Sequence, residues 1–121
     1  MKTENIIVEK SFRFAVRIVK LCHHISNSKK EYILTKQLLR SGTSVGANIS
    51  EGVQGSSKKD FIHKLTIALK EANETHYWIR LFKETDHLTG TEFESISEDC
   101  IEIIKILTSI ITSTKRTNDA P

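Results

Sequence analysis

Residues 38–55, LLRSGTSVGANISEGVQG, hold four of the chain's five glycines, yet an apolar rhythm runs through them without a break. A glycine-rich stretch of this kind has three interpretations: a phosphate-binding loop, a glycosylated surface loop, or a helix of unusually small residues. The choice between them decides whether a nucleotide-binding enzyme or a helical protein is expected.

The phosphate-binding interpretation fails on spacing. A Walker-type loop has four residues between its glycines and a Lys-Ser or Lys-Thr pair directly after them. Gly42 and Gly46 enclose three residues here, and an Ala-Asn pair follows. No strand pattern precedes the stretch, so the helix N-terminus that holds a pyrophosphate is missing as well. The Asn-Ile-Ser triplet at 48–50 matches the glycosylation sequon, but no secretory signal is evident. We therefore predict a helix.

In a helix, this stretch presents small residues four positions apart, a spacing that lets two helix backbones approach closely. Each glycine inside a helix costs about 1 kcal/mol relative to alanine, and close packing, within the chain or between copies, is a reason to tolerate that loss. We predict a packing and assembly surface that consists of Ser41, Gly42, Val45, Gly46, Asn48, Ile49 and Gly52. The sequence GVQGSS that follows predicts a left-handed cap at Gly52 or Gly55.

Apolar residues recur at helical spacing in three further segments. The first helix is predicted from about Asn5 to Ser26, and the second begins near Glu31. A capping box opens the third helix at Ser57, and a second box opens the fourth helix at Thr91. Four amphipathic helices with short connections predict an all-α, up-down-up-down four-helix bundle. Residues 1–115 form this single domain, and residues 116–121, which have no apolar period, are predicted as a disordered tail.

The apolar face of the first helix covers about half of its circumference, more than contact with one neighbouring helix requires. The face consists of two adjacent stripes. One contains Ile7, Phe14, Ile18, Leu21 and Ile25, and the other contains Val8, Phe12, Ala15, Val19 and Cys22. We therefore expect this helix to contact partners on two sides. Cys22 and Cys100 both fall on apolar faces, which favours two buried thiols of a cytosolic protein over a disulfide or a redox pair.

Charge is distributed unevenly along the chain. Residues 1–70 carry 13 Lys and Arg against 5 Asp and Glu, whereas residues 71–121 carry 5 against 10. One exposed line of the first helix contains Lys10, Arg13, Arg17 and Lys20, and Lys36 and Arg40 follow on the second helix. These six cations are candidate nucleic-acid-binding residues that would contact phosphates without reading sequence, since no base-reading motif accompanies them. An ordinary solvated face is the alternative interpretation.

No chemistry-bearing constellation stands out elsewhere. The histidines lack the spacing of zinc ligands, and no paired Glu-x-x-His motif is present for a di-iron bundle. We therefore predict no enzyme, no metal and no cofactor. No apolar run approaches the 20 residues of a transmembrane helix, and the N-terminus lacks the apolar core of a signal peptide. A cytoplasmic protein without membrane contact is expected.

The run QLLRSGTSVGANISEGVQGSSKKDFIHKLTIALKEANETHYWIRLF, residues 37–82, resembles the signature of a family of small bacterial four-helix-bundle proteins. These proteins are known from open reading frames in intervening sequences of 23S ribosomal RNA genes. The resemblance extends from the first helix to about Thr114. The matching positions are Gln37, Arg40, Ser41, Ser44, Asn48, Glu51, Gly52, Lys58, Asp60, Phe61, Glu71, Glu74 and Trp78. The family assigns none of these positions a catalytic role.

The resemblance implies a cytoplasmic homo-oligomer, specifically a pentamer-like barrel, with a role near RNA. A related branch is the accessory variability protein of diversity-generating retroelements, which looks like a pentameric barrel whose basic surface engages nucleic acid and a reverse transcriptase. These implications come from the family and not from the spacing of residues in this chain.

Two functions remain open at this stage. The first is a non-catalytic oligomer that binds nucleic acid, RNA before DNA, through the basic face of the first helix. The second is a protein-interaction scaffold, in which the basic half of one subunit meets the acidic half of the next or of a protein partner. Affinity for RNA that falls steeply with salt distinguishes the first from the second.

Overall fold

The computed structural model describes residues 2–55 and 57–119, and it contains four α-helices. α1 spans Lys2–Lys29, α2 spans Ile33–Val53, α3 spans Lys58–Glu84 and α4 spans Gly90–Asp119. Each helix contacts the next, and α4 returns to contact α1, so the helices close into an up-down-up-down bundle. The predicted fold class is confirmed. No helix within the described ranges is long and apolar enough to cross a membrane.

The start of α3 is the predicted one, but the start of α4 is not. Ser57 Oγ accepts a hydrogen bond from the Asp60 backbone N–H at 3.1 Å, as expected of a capping residue. At α4 the box is formed by Thr89 and Glu92, which accept from each other's backbone N–H groups at 3.1 and 2.8 Å. The box predicted at Thr91 is therefore wrong. The sequence TGTEFE contains two overlapping Thr-x-x-Glu motifs, and the chain uses the first.

The left-handed glycine cap predicted at Gly52 or Gly55 is also wrong. No glycine in the described part of the chain has a positive φ. α2 instead ends on Gln54 in a right-handed conformation, with its N–H donating to the Ser50 carbonyl at 3.3 Å. The positive φ angles occur just beyond α1 and α3, at Lys30 (56°) and Asp86 (63°). Gly52 is needed for its lack of a side chain, as the contacts of α2 show below.

The fourth helix extends beyond the domain boundary expected at residue 115. α4 continues to Asp119, and the hydroxyls of Thr114 and Thr117 donate to the carbonyls of Ile110 and Ser113 at 2.7 and 3.0 Å. These residues carry no apolar period, so the sequence pattern did not reveal the helix. Residues 120 and 121 of the expected tail lie outside the described residues.

The core of the bundle is built from the predicted apolar stripes. Its largest fully buried side chains include Phe14 and Ile18 of α1, Leu38 and Ile49 of α2, Leu65 and Phe82 of α3, and Leu107 of α4. Cys22 and Cys100 are free and buried, as predicted. Burial raises the pKa of Cys22 to about 11 and that of Cys100 to about 12, with nearby Asp99 adding to the second shift. Both thiols therefore stay protonated at neutral pH and are poor nucleophiles.

Candidate nucleic-acid interface

Two cations of the predicted basic line on α1 are engaged by acidic residues of α4. Lys10 forms an ion pair with Glu102, and Arg17 forms one with Asp99. Arg17 also donates through Nη2 to Ser95 Oγ at 2.8 Å. These contacts arise because the acidic face of α4 lies antiparallel beside α1. The asymmetry of charge between the two halves of the sequence is thus partly compensated inside one chain.

The guanidinium groups of Arg13 and Arg40 are paired as well. Arg13 contacts Glu9 one turn earlier in α1, where both side chains are exposed. Arg40 of α2 donates to Glu71 Oε2 at 3.0 Å and also pairs with Glu74, on the facing side of α3. The hydrogen bonds that Arg40 donates to Glu74 and Glu71 raise its pKa above the ordinary value.

The Arg40 contacts belong to a larger polar network between α2 and α3. Trp78 Nε1 donates to Glu74 Oε2 at 3.1 Å, and this bond, together with that from Arg40, holds the pKa of Glu74 below its ordinary value. Lys64 Nζ bonds to Glu51 Oε1 at 3.0 Å farther along the same seam. Arg40, Glu51, Glu71, Glu74 and Trp78 all match the family signature. The structure therefore gives these signature residues a role in joining α2 to α3.

Lys20 and Lys36, the remaining two predicted cations, form no ion pair with any residue in the described ranges. The same holds for Lys29 and Lys30, which follow Lys20 toward the α1–α2 turn. All four lysines are exposed. Tyr32 lies in the same α1–α2 turn as Lys30, with 56% of its surface exposed. We call Lys20, Lys29, Lys30, Tyr32 and Lys36 the lysine corner.

The one acidic side chain in the turn, Glu31, is occupied by the backbone. Its Oε2 accepts hydrogen bonds from the N–H groups of Leu34 and Thr35 at 2.8 and 3.2 Å, and so caps α2. The carboxylate is therefore not paired with the neighbouring lysines. Sequence reasoning found the lysines but missed Tyr32, because an exposed aromatic in a turn has no periodic signal.

The small residues of α2 are used for close packing within the chain. A Cβ at Gly42 would stand 2.8 Å from Ile18 Cγ2 of α1, and one at Gly46 would stand 3.2 Å from the Ser11 carbonyl oxygen. On the other side of α2, a Cβ at Gly52 would stand 2.8 Å from Leu65 Cδ1 of α3. Of the remaining predicted packing residues, Ser41, Val45 and Ile49 are buried and Asn48 is half-buried. α2 is thus the helix against which both neighbours pack at short range.

Beside that contact, α1 leaves an apolar surface uncovered. Of its second apolar stripe only Cys22 is buried, whereas Phe12 is 68% exposed. A groove of about 620 Å³ runs along this side, and it is lined by Val8, Glu9, Phe12, Ala15, Thr43, Gly46, Ala47 and Ser50. We call it the α1–α2 groove. α1 contacts α2 and α4, and within the described ranges nothing covers the groove beside its second apolar stripe.

No group of three or more His, Cys, Asp or Glu side chains in the described ranges is arranged to hold a metal ion. His76 of α3 bonds through Nε2 to Ser97 Oγ of α4 at 3.1 Å. Desolvation by burial, together with the charge of Arg80, lowers its pKa. The hydrogen bond joins α3 to α4.

Comparison with known proteins gives a family and a solved relative. Residues 3–109 match the model of the family described as 23S rRNA-intervening sequence protein. The chain is also similar to the crystal structure of a protein of unknown function from the S23 ribosomal protein family of Bacteroides thetaiotaomicron. The two are 53% identical with a TM-score of 0.89, over 91% of this chain and 98% of the other. A search of the curated proteins finds no match.

Proposed function

The chain belongs to the 23S rRNA-intervening sequence protein family, and from that premise we propose that it is a cytoplasmic, non-catalytic helical bundle that binds RNA through the lysine corner. The observation that carries this proposal is the division among the cations. Lys10, Arg17 and Arg40 are engaged by carboxylates of other helices, whereas the four corner lysines have no acidic partner in the described ranges. Cations without partners contact phosphate without first losing an ion pair.

Two further features of the corner suit a flexible RNA strand. Each lysine places a charge on a long, exposed side chain, which follows a phosphate backbone without demanding one fixed geometry. Tyr32 offers an exposed ring in the turn that also contains Lys30, and stacking of an unpaired base on such a ring is a common mode of single-strand recognition. The corner therefore favours single-stranded RNA bound without strong sequence preference.

The test is a titration of a fluorescent single-stranded RNA with the full chain at several salt concentrations. Four phosphate contacts to a single strand predict a slope of log K against log salt of about −3. The variant K20Q/K29Q/K30Q/K36Q should flatten that slope and weaken binding at low salt. The matched control K58Q/K59Q/K105Q/K115Q removes four other exposed lysines and should bind like the wild type.

Three outcomes are informative. Loss of binding in the corner variant alone supports the proposal. Equal weakening in both quadruple variants shows that net charge, and not the corner, attracts RNA. Absence of binding by the wild type at low salt removes RNA as the ligand.

A second candidate function, self-association, is favoured by the α1–α2 groove. Phe12 is a large apolar side chain that is mostly exposed beside a concave, mainly apolar surface. Burying such a side chain stabilises a contact by roughly 1.5–3 kcal/mol. We propose that a second copy of the chain covers the groove, as the family resemblance implies for a homo-oligomer. Association would also place several lysine corners on one particle and so increase its avidity for a long RNA.

Self-association is tested by measuring the mass of the protein in solution. The wild-type chain should sediment as an oligomer, and its mass gives the number of subunits. Phe12→Glu places a charge in the groove and should dissociate the oligomer, whereas Ile101→Glu, at an exposed apolar residue of α4, should not. A wild-type chain that is monomeric at high concentration, or an oligomer that tolerates Phe12→Glu, contradicts the proposal.

A further inference from the structure

A cleft between the end of α3 and the start of α4 lies outside the surfaces described so far. It has a volume of about 340 Å³ and is lined by Tyr77, Arg80, Leu81, Lys83, Glu84 and Phe93. Small-molecule sites in proteins usually span roughly 300–1,000 Å³. The cleft is therefore large enough for one compact ligand and too small for a longer segment.

Aromatic side chains line this cleft at two positions. Tyr77 is 56% exposed, and its ring packs edge-on against Trp78 with centroids 5.1 Å apart and an interplanar angle of 78°. Trp78 is itself held by the hydrogen bond to Glu74, so the orientation of the Tyr77 ring is supported from behind. Phe93 of α4 is half-buried and belongs to the same lining. An exposed ring supported in this way is suited to stacking on a flat ligand.

The charged side chains of the cleft favour an anion. Arg80 and Lys83 form no ion pair with any residue in the described ranges. Glu84 is the acidic residue of the lining, so two cations stand against one carboxylate. A guanidinium group with free N–H donors is well matched to phosphate oxygens. Aromatic walls beside an excess of positive charge define a flat aromatic anion as the complementary ligand.

We propose that this cleft binds a single nucleotide, with the base stacked on Tyr77 and the phosphate held by Arg80 and Lys83. The inference rests on the proposed function only for the source of the ligand, which is either an unpaired nucleotide of an RNA strand or a free mononucleotide. The shared chemistry is a nucleobase that carries a phosphate. The cleft is thus a nucleotide site on a different pair of helices from the lysine corner.

The first experiment titrates the full chain with cytidine monophosphate and follows the aromatic side-chain NMR signals and the fluorescence of Trp78, the chain's single tryptophan. Binding should shift the signals of Tyr77 and Phe93 saturably. Tyr77→Ala should weaken binding by roughly 5- to 150-fold, the range measured for loss of one base stack. Tyr77→Phe keeps the ring and should bind like the wild type.

Val16 supplies a control, because it is an exposed apolar residue of α1, a helix that does not line the cleft. Val16→Ala should leave mononucleotide binding unchanged. The contribution of phosphate is measured with R80Q/K83Q and with cytidine, which lacks the phosphate; both changes should weaken binding, and their effects should not add. The inference is overturned when cytidine monophosphate moves neither ring, or when Tyr77→Ala and Val16→Ala behave alike.

The last arm identifies the source of the nucleotide with a short single-stranded RNA. RNA should shift the NMR signals of Tyr77 in the wild type but not in K20Q/K29Q/K30Q/K36Q. If cytidine monophosphate still binds that variant, the cleft is a site for RNA. Binding of mononucleotide with no effect of RNA on Tyr77 assigns it to free nucleotides. If RNA binding depends on the corner lysines but neither RNA nor mononucleotide shifts Tyr77, the inference about the cleft is overturned. The proposed function is then still supported.

Discussion

The α2–α3 contact and the α1–α4 contact are both closed by polar side chains, but these lie at different depths. Between α2 and α3, Thr75 Oγ1 donates to Ser41 Oγ at 2.9 Å, and both residues are fully buried. Between α1 and α4, the ion pairs of Lys10 and Arg17 leave their side chains 41–48% exposed. A buried hydroxyl pair is costly to break because the group left behind loses its partner, whereas water readily replaces an exposed ion pair.

The difference lies in the buried hydroxyl pair and not in the charges, because Arg40 of the α2–α3 contact is itself 51% exposed. α2 is fixed in place by small residues, a buried hydrogen bond and the Arg40 network. α1 is held to α4 by exchangeable surface pairs and carries the uncovered groove on its other side. The surfaces proposed to bind partners lie along the α1–α2 groove and at the ends of the bundle.

The largest loss of stability is expected from overpacking α2 where small residues let it approach its neighbours closely. Gly42→Val adds three carbon atoms where even a Cβ would stand 2.8 Å from fully buried Ile18. We expect a loss of about 3 kcal/mol in the free energy of unfolding, at the upper end for overpacking. Urea denaturation at fixed protein concentration measures it. Gly90→Ala is the control, because a Cβ there meets nothing within 4 Å, and it should not destabilise the fold.

The next effect comes from the buried hydroxyl pair. Thr75→Val keeps the shape of the side chain but removes the bonds from Thr75 Oγ1 to Ser41 and to the Glu71 carbonyl. The expected loss is about 1–2 kcal/mol, measured in the same denaturation experiment. The double variant S41A/T75V should recover part of the loss, since in T75V the buried Ser41 hydroxyl keeps only its 3.4 Å bond to the Leu38 carbonyl. A double variant that costs the sum of the two single variants would contradict this account.

A smaller effect is expected at the exchangeable α1–α4 pairs. Arg17→Gln removes the contact with Asp99 and should cost less than about 1 kcal/mol, because both side chains are exposed to water. The cost should shrink further when the salt concentration is raised. A loss as large as that of Thr75→Val would show that the two contacts do not differ in the way described.

The smallest effect is a pH dependence of the free energy of unfolding, and it concerns a third contact, between α3 and α4. The pKa of His76 lies below its ordinary value, so protons bind the unfolded chain more readily than the folded one. Stability from this residue is fully present above the unfolded pKa of about 6.5 and falls as the pH drops below it toward the folded pKa. His76→Gln, which can still bond to Ser97, should flatten the stability profile in that window. His23→Gln, at an exposed histidine of α1, should leave the profile unchanged.

Much of the fold was predictable because helical periodicity records which face of each helix is buried. The four helices, their order and the capping residue Ser57 follow from that pattern. The start of α4 was not predictable, since two overlapping capping motifs satisfy the same local rule. The ends of α1 and α3 use Lys30 and Asp86 at positive φ, where glycine would be expected. Propensity did not reveal them because residues other than glycine rarely adopt positive φ.

The sequence predicted the basic residues of the candidate site, but not which of them form ion pairs. The sequence showed a basic line on α1, yet the partners of Lys10 and Arg17 lie more than 80 residues away, and only the rotation of α4 about its axis decides whether they meet. The cleft around Tyr77 and Phe93 was missed for a similar reason. Five of its six lining residues lie on α3, and only the packing of α4 brings Phe93 beside them.

The short connections at 30–32, 54–57 and 85–89 also bear on how the chain reaches its structure. Antiparallel neighbours joined in this way place most contacts between residues that are close along the chain, and bundles of low contact order fold in microseconds to milliseconds. The single proline is residue 121, so no helix or turn before it waits on prolyl isomerisation. The bundle is therefore able to complete its fold soon after α4 leaves the ribosome.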